Sequence, residues 1–539
     1  MIQRPKWTRV RLGLLLFVVL FLVFASLVSQ QRDRDGPLQD TERVTNGQID
    51  PSARHILYTC IGVPYYRLWR QLGYTGDAAY PLQLLNAVSG ALGATGSFVF
   101  FVRLVGKPHL ALLLASAYAF SYGHWYFTED VFYNVFTFVP LIWSLPLLHT
   151  AATTSNLRRR LILALGLAGL STAAILGTQE HALFVGVILC GLLLNPSTVS
   201  WKARLLSAAG YGLGIAVLLL PAYATLASRV ACCKDLECVV NWLRPYGMLL
   251  PMYGVFSWDR IPAAIRSFLA TIVPLGRGMA LRQLATGIIT PGKLLPQSAL
   301  AATLFSLFAT SVLLLMHRKL VWRNHRYTLL LSVVWILLYT PAIIWLDPFG
   351  PERWTVPLIP VLMLVATCFD IVTSSLVPQN LRRVDVVGGI VVLLIFLSNL
   401  TQAIWPDHHD PNPEILAAQY AATQMSGDDV MISPVWDWTA YLESQGHRTL
   451  SLLTLSLYDN GRNPDPDRLL RELDQVIINT QTAGGRVFLV DVFVYGPSEW
   501  AWITQNSGLC LEHFARYQLQ PAWEFNGEQV WLITLVEEN

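Results

Sequence analysis

Apolar residues run along this chain in long blocks, near 12–29, 82–105, 109–127, 134–151, 161–178, 182–195, 205–227, 298–316, 327–346, 355–376 and 385–405. A helix of roughly twenty residues crosses a hydrocarbon core of about 30 Å, so the pattern predicts eleven transmembrane helices. The first block follows Arg9 and Arg11. No small-x-small cleavage site follows it and further spans do, so it is expected to stay as an anchor.

Beyond residue 406 the pattern changes to short strand-like stretches separated by helical ones. Val430–Ser433, Thr449–Leu455, Val487–Val492 and Gln529–Leu535 read as strands, and Trp438–Ser444, Asp467–Ile478 and Trp500–Tyr517 as helices. That alternation predicts a small α/β domain with a mostly parallel sheet. Gly484-Gly485 is a turn signal, and no G-x-G-x-x-G or Walker pattern occurs there. The expected fold class is an α-helical polytopic membrane protein, residues 1–406, carrying a C-terminal soluble α/β domain, residues 407–539.

Composition agrees and removes other classes. Apolar residues make up 53% of the chain and charged ones 14%, against about 25% charged in soluble domains. A net charge of +3 leaves no field for a nucleic-acid partner. The charge is unevenly spread, since residues 407–539 hold 19 acids, 6 arginines and no lysine.

Basic residues also orient the spans, because short loops rich in Lys and Arg stay cytoplasmic. Arg4, Lys6, Arg9, Arg11, Arg103, Lys107, Arg158–Arg160, Lys202, Arg204, Arg318, Lys319, Arg323, Arg326, Arg382 and Arg383 fall on one side, whereas the short loops opposite contain only Arg353. A cytoplasmic N-terminus puts the long loops 30–80 and 229–297 and the C-terminal domain outside. The expected location is a bacterial plasma membrane, with the endoplasmic reticulum as the alternative. Cys232, Cys233 and Cys238 share one outer loop, where a disulfide can form in an oxidising compartment.

Chemistry concentrates on that outer side. Arg32-Asp33-Arg34-Asp35-Gly36 and Gln39-Asp40-Thr41-Glu42-Arg43 place carboxylates just past the first span. A carboxylate there can act as general base toward a hydroxyl, or merely sit in a solvated, self-balancing segment. The turn from Ser121 to Asn134 sets Glu129-Asp130 among aromatics that suit a sugar ring, and equally an interfacial aromatic belt. Gln179-Glu180-His181 and Asp347-Pro348-Phe349-Gly350-Pro351-Glu352-Arg353-Trp354 form further short turns. Arg353 can pair with a nearby acid or hold a lipid phosphate. The basic and aromatic residues of loop 229–297 suit an interfacial segment touching lipid phosphate, and simple snorkelling as well. Apart from Asp370 the spans carry almost no deep ionisable residue, which disfavours a coupled transporter. No metal-ligand motif is evident along the chain, although an acidic pair can hold a divalent cation.

Asp40-Thr41-Glu42 ahead of His55-Ile56-Leu57-Tyr58, Glu129-Asp130-Val131-Phe132-Tyr133-Asn134, His181 at the start of a span and Pro351-Glu352-Arg353-Trp354 together resemble the GT-C glycosyltransferases. The similarity is greatest to the branch of the protein O-mannosyltransferases, over residues 10–200 and more loosely 351–360. The acidic spacing is narrower than in that branch, and its Pro-Pro-Gly after the His is absent. The resemblance implies inverting transfer of a hexose, mannose-like sugar from a polyprenyl-phosphate carrier to an acceptor hydroxyl on a protein, lipid or glycan. It implies Asp40, Glu42, Glu129 and Asp130 as catalytic, with Asp33 and Asp35 as rival bases, and His55, His124, Tyr133, Asn134, His181 and Arg353 as substrate-binding. Some relatives use a divalent cation. The alternatives are an outer-face scaffold or sugar-binding membrane protein without transfer, and a lipid or solute transporter.

Overall fold

The computed structural model describes residues 6–29, 35–50, 55–194, 199–231, 233–243, 256–258, 260–275, 294–375, 378–409, 413–433, 439–452, 455, 465–490, 492–493, 500, 503–504, 507–525 and 528–535. Its first part contains α1 (Lys6–Ser26), α2 (Asp35–Thr45), α3 (Ile56–Gln71), α4 (Ala79–Val105), α5 (Pro108–Ala119), α6 (Tyr122–Glu129), α7 (Tyr133–Thr153), α8 (Leu157–Gly177), α9 (Ala182–Leu193) and α10 (Trp201–Arg229). There follow α11 (Leu236–Leu243), α12 (Arg260–Ile272), α13 (Leu294–Met316), α14 (Arg318–Leu346), α15 (Pro351–Ser375) and α16 (Pro378–Asn399). The apolar blocks are helical, but block 109–127 is divided between α5 and α6 and block 182–195 is the short α9, so eleven full-length spans are not found among the described residues. Among the described residues nine helices are long and apolar enough to cross a membrane, while Pro108–Ala119 and Gln179–Leu193 are shorter.

The short ones have a structural reason. The chain breaks at Ser121, which is extended (φ −62°, ψ 144°), and restarts as α6, whose ring-rich turn packs against α4. Close approach there needs small residues: a methyl on Gly90 of α4 would run into Thr128, and one on Gly123 of α6 into Thr271 and Thr355. The main core is this α4–α7 region with α1, α15 and α16 around it.

At the membrane end away from the α/β domain, two polar groups hold helices together. Asp370, the deep acid of the spans, is bonded by Lys107 Nζ at 2.8 Å and faces His325 Nε2 at 3.4 Å, so it is an ion-paired strut. Arg160 is fully buried. It donates to the carbonyl of Ala151 (2.7 Å), to the hydroxyl of Ser207 (3.1 Å) and to the carbonyl of Leu192 (3.5 Å), tying the ends of α7, α9 and α10 to α8. Arg160→Leu is therefore expected to lower stability by about 2–3 kcal/mol, the worth of charged hydrogen bonds to groups left buried. The exposed neighbour Arg159 sets the baseline, since Arg159→Leu should stay within about 0.5 kcal/mol. Thermal unfolding of the full chain in detergent reads both, and equal losses would refute the assignment.

The C-terminal domain holds α17 (Pro413–Gln424), β1 (Val430–Ser433), α18 (Thr439–Ser444), β2 (Arg448–Ser451), α19 (Pro466–Thr482), β3 (Val487–Val490), β4 (Tyr517–Phe525) and β5 (Glu528–Leu535). Sheet order is β2-β1-β3-β5-β4. β1 pairs in parallel with β2 and β3, whereas β5 runs antiparallel to β3 and β4. The sheet is thus mixed, where sequence pattern predicts mostly parallel. Its central strands are apolar on both faces because helices cover both: α19 packs with Val430, Ile432 and Leu489, and α17 and α18 pack with Met431, Phe488 and Val490. The helix expected over Trp500–Tyr517 lies partly outside the described residues, and its described end is a short 3-10 turn, Leu511–Arg516, leading into β4. In the long loop, Cys233 and Cys238 form a disulfide. Cys232 lies outside the described residues, as do Arg32, Asp33 and Arg34 and most of 244–259 and 276–293.

Candidate functional site

The exit of α1, the end of α6 and the entry to the C-terminal domain are knit together. Ser29 N donates to the Glu129 carbonyl (3.1 Å), Gln83 Nε2 to the Ser29 carbonyl (2.8 Å) and His408 Nδ1 to the Val28 carbonyl (2.7 Å). Asn86 of α4 reaches the Asp130 and Phe132 carbonyls at 2.7 and 3.0 Å, which holds the α6–α7 turn. α2 and α3 pack over this frame, and α18 of the C-terminal domain rests on α2.

Between α2 and α3 lies a buried polar cluster. Asp40 is 2% exposed, and among the described residues neither of its carboxylate oxygens has a hydrogen-bond partner. Asp50, 1% exposed, meets His55 Nε2 at 2.5 Å and Arg43 Nη1 at 3.2 Å, and its backbone N–H donates to Thr59 Oγ1 at 2.9 Å. One oxygen of each aspartate and a ring nitrogen of His55 all lie within 4.8 Å of one another, a donor set of the kind that holds a divalent cation. Burial pushes the Asp40 carboxyl up to about 6, and Asp50 adds to that, while His55 and Arg43 pull the other way. Such a carboxylate is ionised at neutral pH yet basic enough to take a proton. The buried Tyr58 phenol is held well above its ordinary value by desolvation and by the Asp40 and Asp130 carboxylates. Asp130 is 6% exposed and its Oδ1 accepts from Val131 N at 2.7 Å. Glu129, 1% exposed, is pushed well up by burial and by Asp407 and Asp130, against the Trp125 indole.

Beside the cluster opens a cavity of about 290 Å³, lined by Tyr133, Asn134, Glu180, His181, Tyr339 and Arg353 among others. Tyr133 joins the two, because its ring stacks on His55 at 4.2 Å and 9° while it also lines the cavity. Arg353, in the first turn of α15, bonds Asp347 Oδ2 through Nε at 3.1 Å and Glu180 through Nη1. His181 Nε2 shares a 3.0 Å hydrogen bond with Thr137 Oγ1.

Of the residues singled out in the sequence, Asp40 and His55 meet in the cluster, and Tyr133, Asn134, His181 and Arg353 meet at the cavity. Glu129 and Asp130 close the frame beneath. Glu42 turns elsewhere: it is half-buried, and its carboxyl is raised by burial and by Glu443 of the C-terminal domain. His124 is fully buried inside the helix core, bonded through Nε2 to the Gly90 carbonyl at 3.1 Å and packed on Tyr118 at 4.4 Å. It is a core histidine that does not line the cavity. Asp35 begins α2, and Asp33 lies outside the described residues. Glu180 joins the site from the turn Gln179-Glu180-His181 that stands out in the sequence, whereas Asp50 and Tyr339 join it with no sequence signal.

No protein-family model matches the sequence, and no curated protein matches it. Solved structures do match in shape. ArnT from Cupriavidus metallidurans bound to undecaprenyl phosphate is 13% identical, with 98% of each chain covered and a TM-score of 0.55. The same protein in the apo state gives 14%, 96% of this chain and 97% of that one, and a TM-score of 0.57. The archaeal oligosaccharyltransferase AglB from Archaeoglobus fulgidus, in complex with an inhibitory peptide and a dolichol-phosphate, gives 9%, 99% of this chain, 75% of that one and 0.54. At such identities the likeness is one of fold. The chain is a multi-pass membrane protein with the GT-C fold, as its short motifs suggested.

Proposed function

We propose that this protein transfers a sugar from a polyprenyl-phosphate carrier to an acceptor hydroxyl, with inversion, at the face that carries α2, α3 and the C-terminal domain. The observation that carries the reading is a buried carboxylate, Asp40, whose oxygens have no hydrogen-bond partner among the described residues, joined through His55 and Tyr133 to a cavity with an arginine in its wall. Undecaprenyl phosphate in ArnT and dolichol-phosphate in AglB give the carrier class its support. In this reading the N-terminus is cytoplasmic, the reacting face is extracytoplasmic, and the sugar is a hexose of mannose type.

Asp40 takes the proton of the acceptor hydroxyl, whose oxygen attacks the anomeric carbon from the side opposite the carrier. The bond from that carbon to the carrier's phosphate oxygen breaks, and its electron pair leaves on the phosphate. No general acid is needed, but the departing charge must be met, and Arg353 meets it with guanidinium donors beyond the two already used. Tyr133, Asn134 and His181 shape the sugar site, while Glu129 and Asp130 fix the turn that presents Tyr133.

A sugar-binding protein without transfer is the second reading, favoured by one observation: Arg353 is already bonded to Asp347 and Glu180. Mass spectrometry of polyprenyl-linked sugars separates the two in cells lacking the protein, complemented with wild type or Asp40→Asn. Transfer predicts that one glycosylated carrier accumulates without the protein, returns to normal with wild type and persists with Asp40→Asn. A carrier pool that is the same in every strain would reject it.

A further inference from the structure

The far end of α3 has a composition that sugar transfer leaves unused. Pro64, Leu68 and Leu72 recur every fourth residue and are exposed, with Tyr65 and Trp69 half-buried beside them. Trp69 meets Tyr74 at 5.7 Å and Tyr80 at 6.1 Å, both edge-on, and Tyr80 is the second residue of α4, where a membrane span begins. An exposed apolar stripe next to clustered Trp and Tyr at the mouth of a span marks a helix lying in the membrane interface. Arg67 and Arg70 stand roughly 100° and 160° round the helix from that stripe, clear of the hydrocarbon.

Both arginines border a cleft of about 540 Å³ between α3, the end of α2 and the turn before α4, with Thr45, Asn46, Thr75 and Asp77 in its walls. Its shape is held by contacts between these three segments. Tyr66 donates its hydroxyl to the Gly76 carbonyl at 2.7 Å, and Ala78 N donates to Thr45 Oγ1 at 3.0 Å. Gly47, at φ +70°, lets α2 end close to Arg67: a β-carbon there would stand 3.3 Å from Nη2. Arg70 uses one donor on the Thr75 carbonyl at 3.1 Å, and among the described residues Arg67 has no hydrogen bond or ion pair. Asp77 Oδ1 accepts from Ala79 N at 3.1 Å, at the head of α4. Two guanidinium groups against this one carboxylate leave the lining at +1.

We propose that this cleft binds the phosphate of an anionic glycerophospholipid from the leaflet on the side of α2, α3 and the C-terminal domain. The guanidinium forks supply paired donors for phosphate oxygens. The apolar stripe decides the source of the phosphate, because it holds α3 at headgroup depth and gives the lipid's tails a place beside Leu68 and Leu72. A choline headgroup fits less well, since its ammonium adds positive charge to a lining that is already positive. The cleft shares no lining residue with the cavity of Arg353, and Arg67 lies about 18 Å along α3 from His55, so this phosphate site is separate from the one assigned to the carrier. Its existence does not rest on the transfer reading. Under that reading the headgroup also seats the helix at whose head His55 stands.

The test places the full chain in phosphatidylcholine nanodiscs with a trace of phosphatidylglycerol carrying a photoactivatable tail, and reads crosslinked peptides by mass spectrometry. Crosslinks within residues 61–80 are expected, competed by unlabelled phosphatidylglycerol and not by further phosphatidylcholine. Arg67→Gln with Arg70→Gln should weaken this binding at least about tenfold. Arg158→Gln with Arg159→Gln, an exposed pair at the opposite membrane end, should leave it unchanged, and both double variants should match wild type in gel filtration and thermal unfolding. Crosslinking there that ignores the headgroup, or that survives the Arg67 and Arg70 replacements in a folded chain, would overturn the site. Equal competition by glycerol phosphate in solution would make it a free-phosphate site, and stronger competition by undecaprenyl phosphate would give it to the carrier; either result overturns the phospholipid assignment. Headgroup-specific crosslinking together with an unaltered carrier pool in cells would leave the lipid site standing and retire only the transfer reading.

Discussion

Replacing Asp40 by asparagine should lower transfer about 10²–10⁴-fold, the usual worth of a positioned base, while the protein stays as stable as wild type or becomes more so. The two halves of this expectation come from one observation. Both carboxylate oxygens of Asp40 are buried without a hydrogen-bond partner among the described residues, and the desolvation of its charge outweighs the attraction of His55 and Arg43. An amide of nearly the same shape removes that cost and cannot accept the proton. Thermal unfolding and turnover of the accumulated carrier by purified protein read the two effects separately. Asp33→Asn and Asp35→Asn, the rival bases, should turn over normally. Full activity of Asp40→Asn, or loss confined to Asp33→Asn or Asp35→Asn, would move the base elsewhere.

The second large effect falls on Arg353. Arg353→Lys should reduce turnover about 10²-fold, comparable to losing one preorganised donor to a developing negative charge. Lysine keeps a positive charge between Glu180 and Asp347, so the two acids are not left without a counter-ion. It lacks the planar fork, and an ammonium engaged by two carboxylates has little left to offer a departing phosphate. Arg353→Met would confuse the result by leaving both acids uncompensated. The loss should appear in kcat more than in KM, because the phosphate charge grows in the transition state. Wild-type turnover by Arg353→Lys in a well-folded preparation would make Arg353 a structural ion pair and favour the non-catalytic reading.

Much of this site is visible in the sequence only as separate fragments. Asp40 and His55 are fifteen positions apart on segments whose acids and histidine stand out in an apolar chain, and Tyr133-Asn134 follows a conspicuous acidic turn. Asp50 is silent because nothing in Gln48-Ile49-Asp50 distinguishes a ligand from a solvated loop acid; its partners Arg43 and His55 become visible only once α2 and α3 fold over each other. His124 misleads for the opposite reason. A histidine among aromatics near a membrane surface suits a sugar site, but Gly90 leaves room for α6 to pack against α4, and the ring is drawn into the core. β4 is missed although Tyr517, Leu519, Trp523 and Phe525 alternate with Gln518, Gln520 and Glu524, because Pro521 inside it argues against a strand and this exposed edge strand pairs only with β5.

The sequence by itself determined that the chain is built of apolar helices, nine of them long enough among the described residues to cross a membrane where eleven are expected, and the alternating helices and strands of most of the C-terminal domain. These follow from local quantities: the length of an apolar run against the bilayer and the period of its side chains. Only the tertiary structure decided which carboxylate is buried without a partner, which histidine reaches it, and that Arg353 answers to Glu180, 173 residues away in the chain. Those are properties of desolvation and of contact between distant segments, and they exist only after the helices have packed.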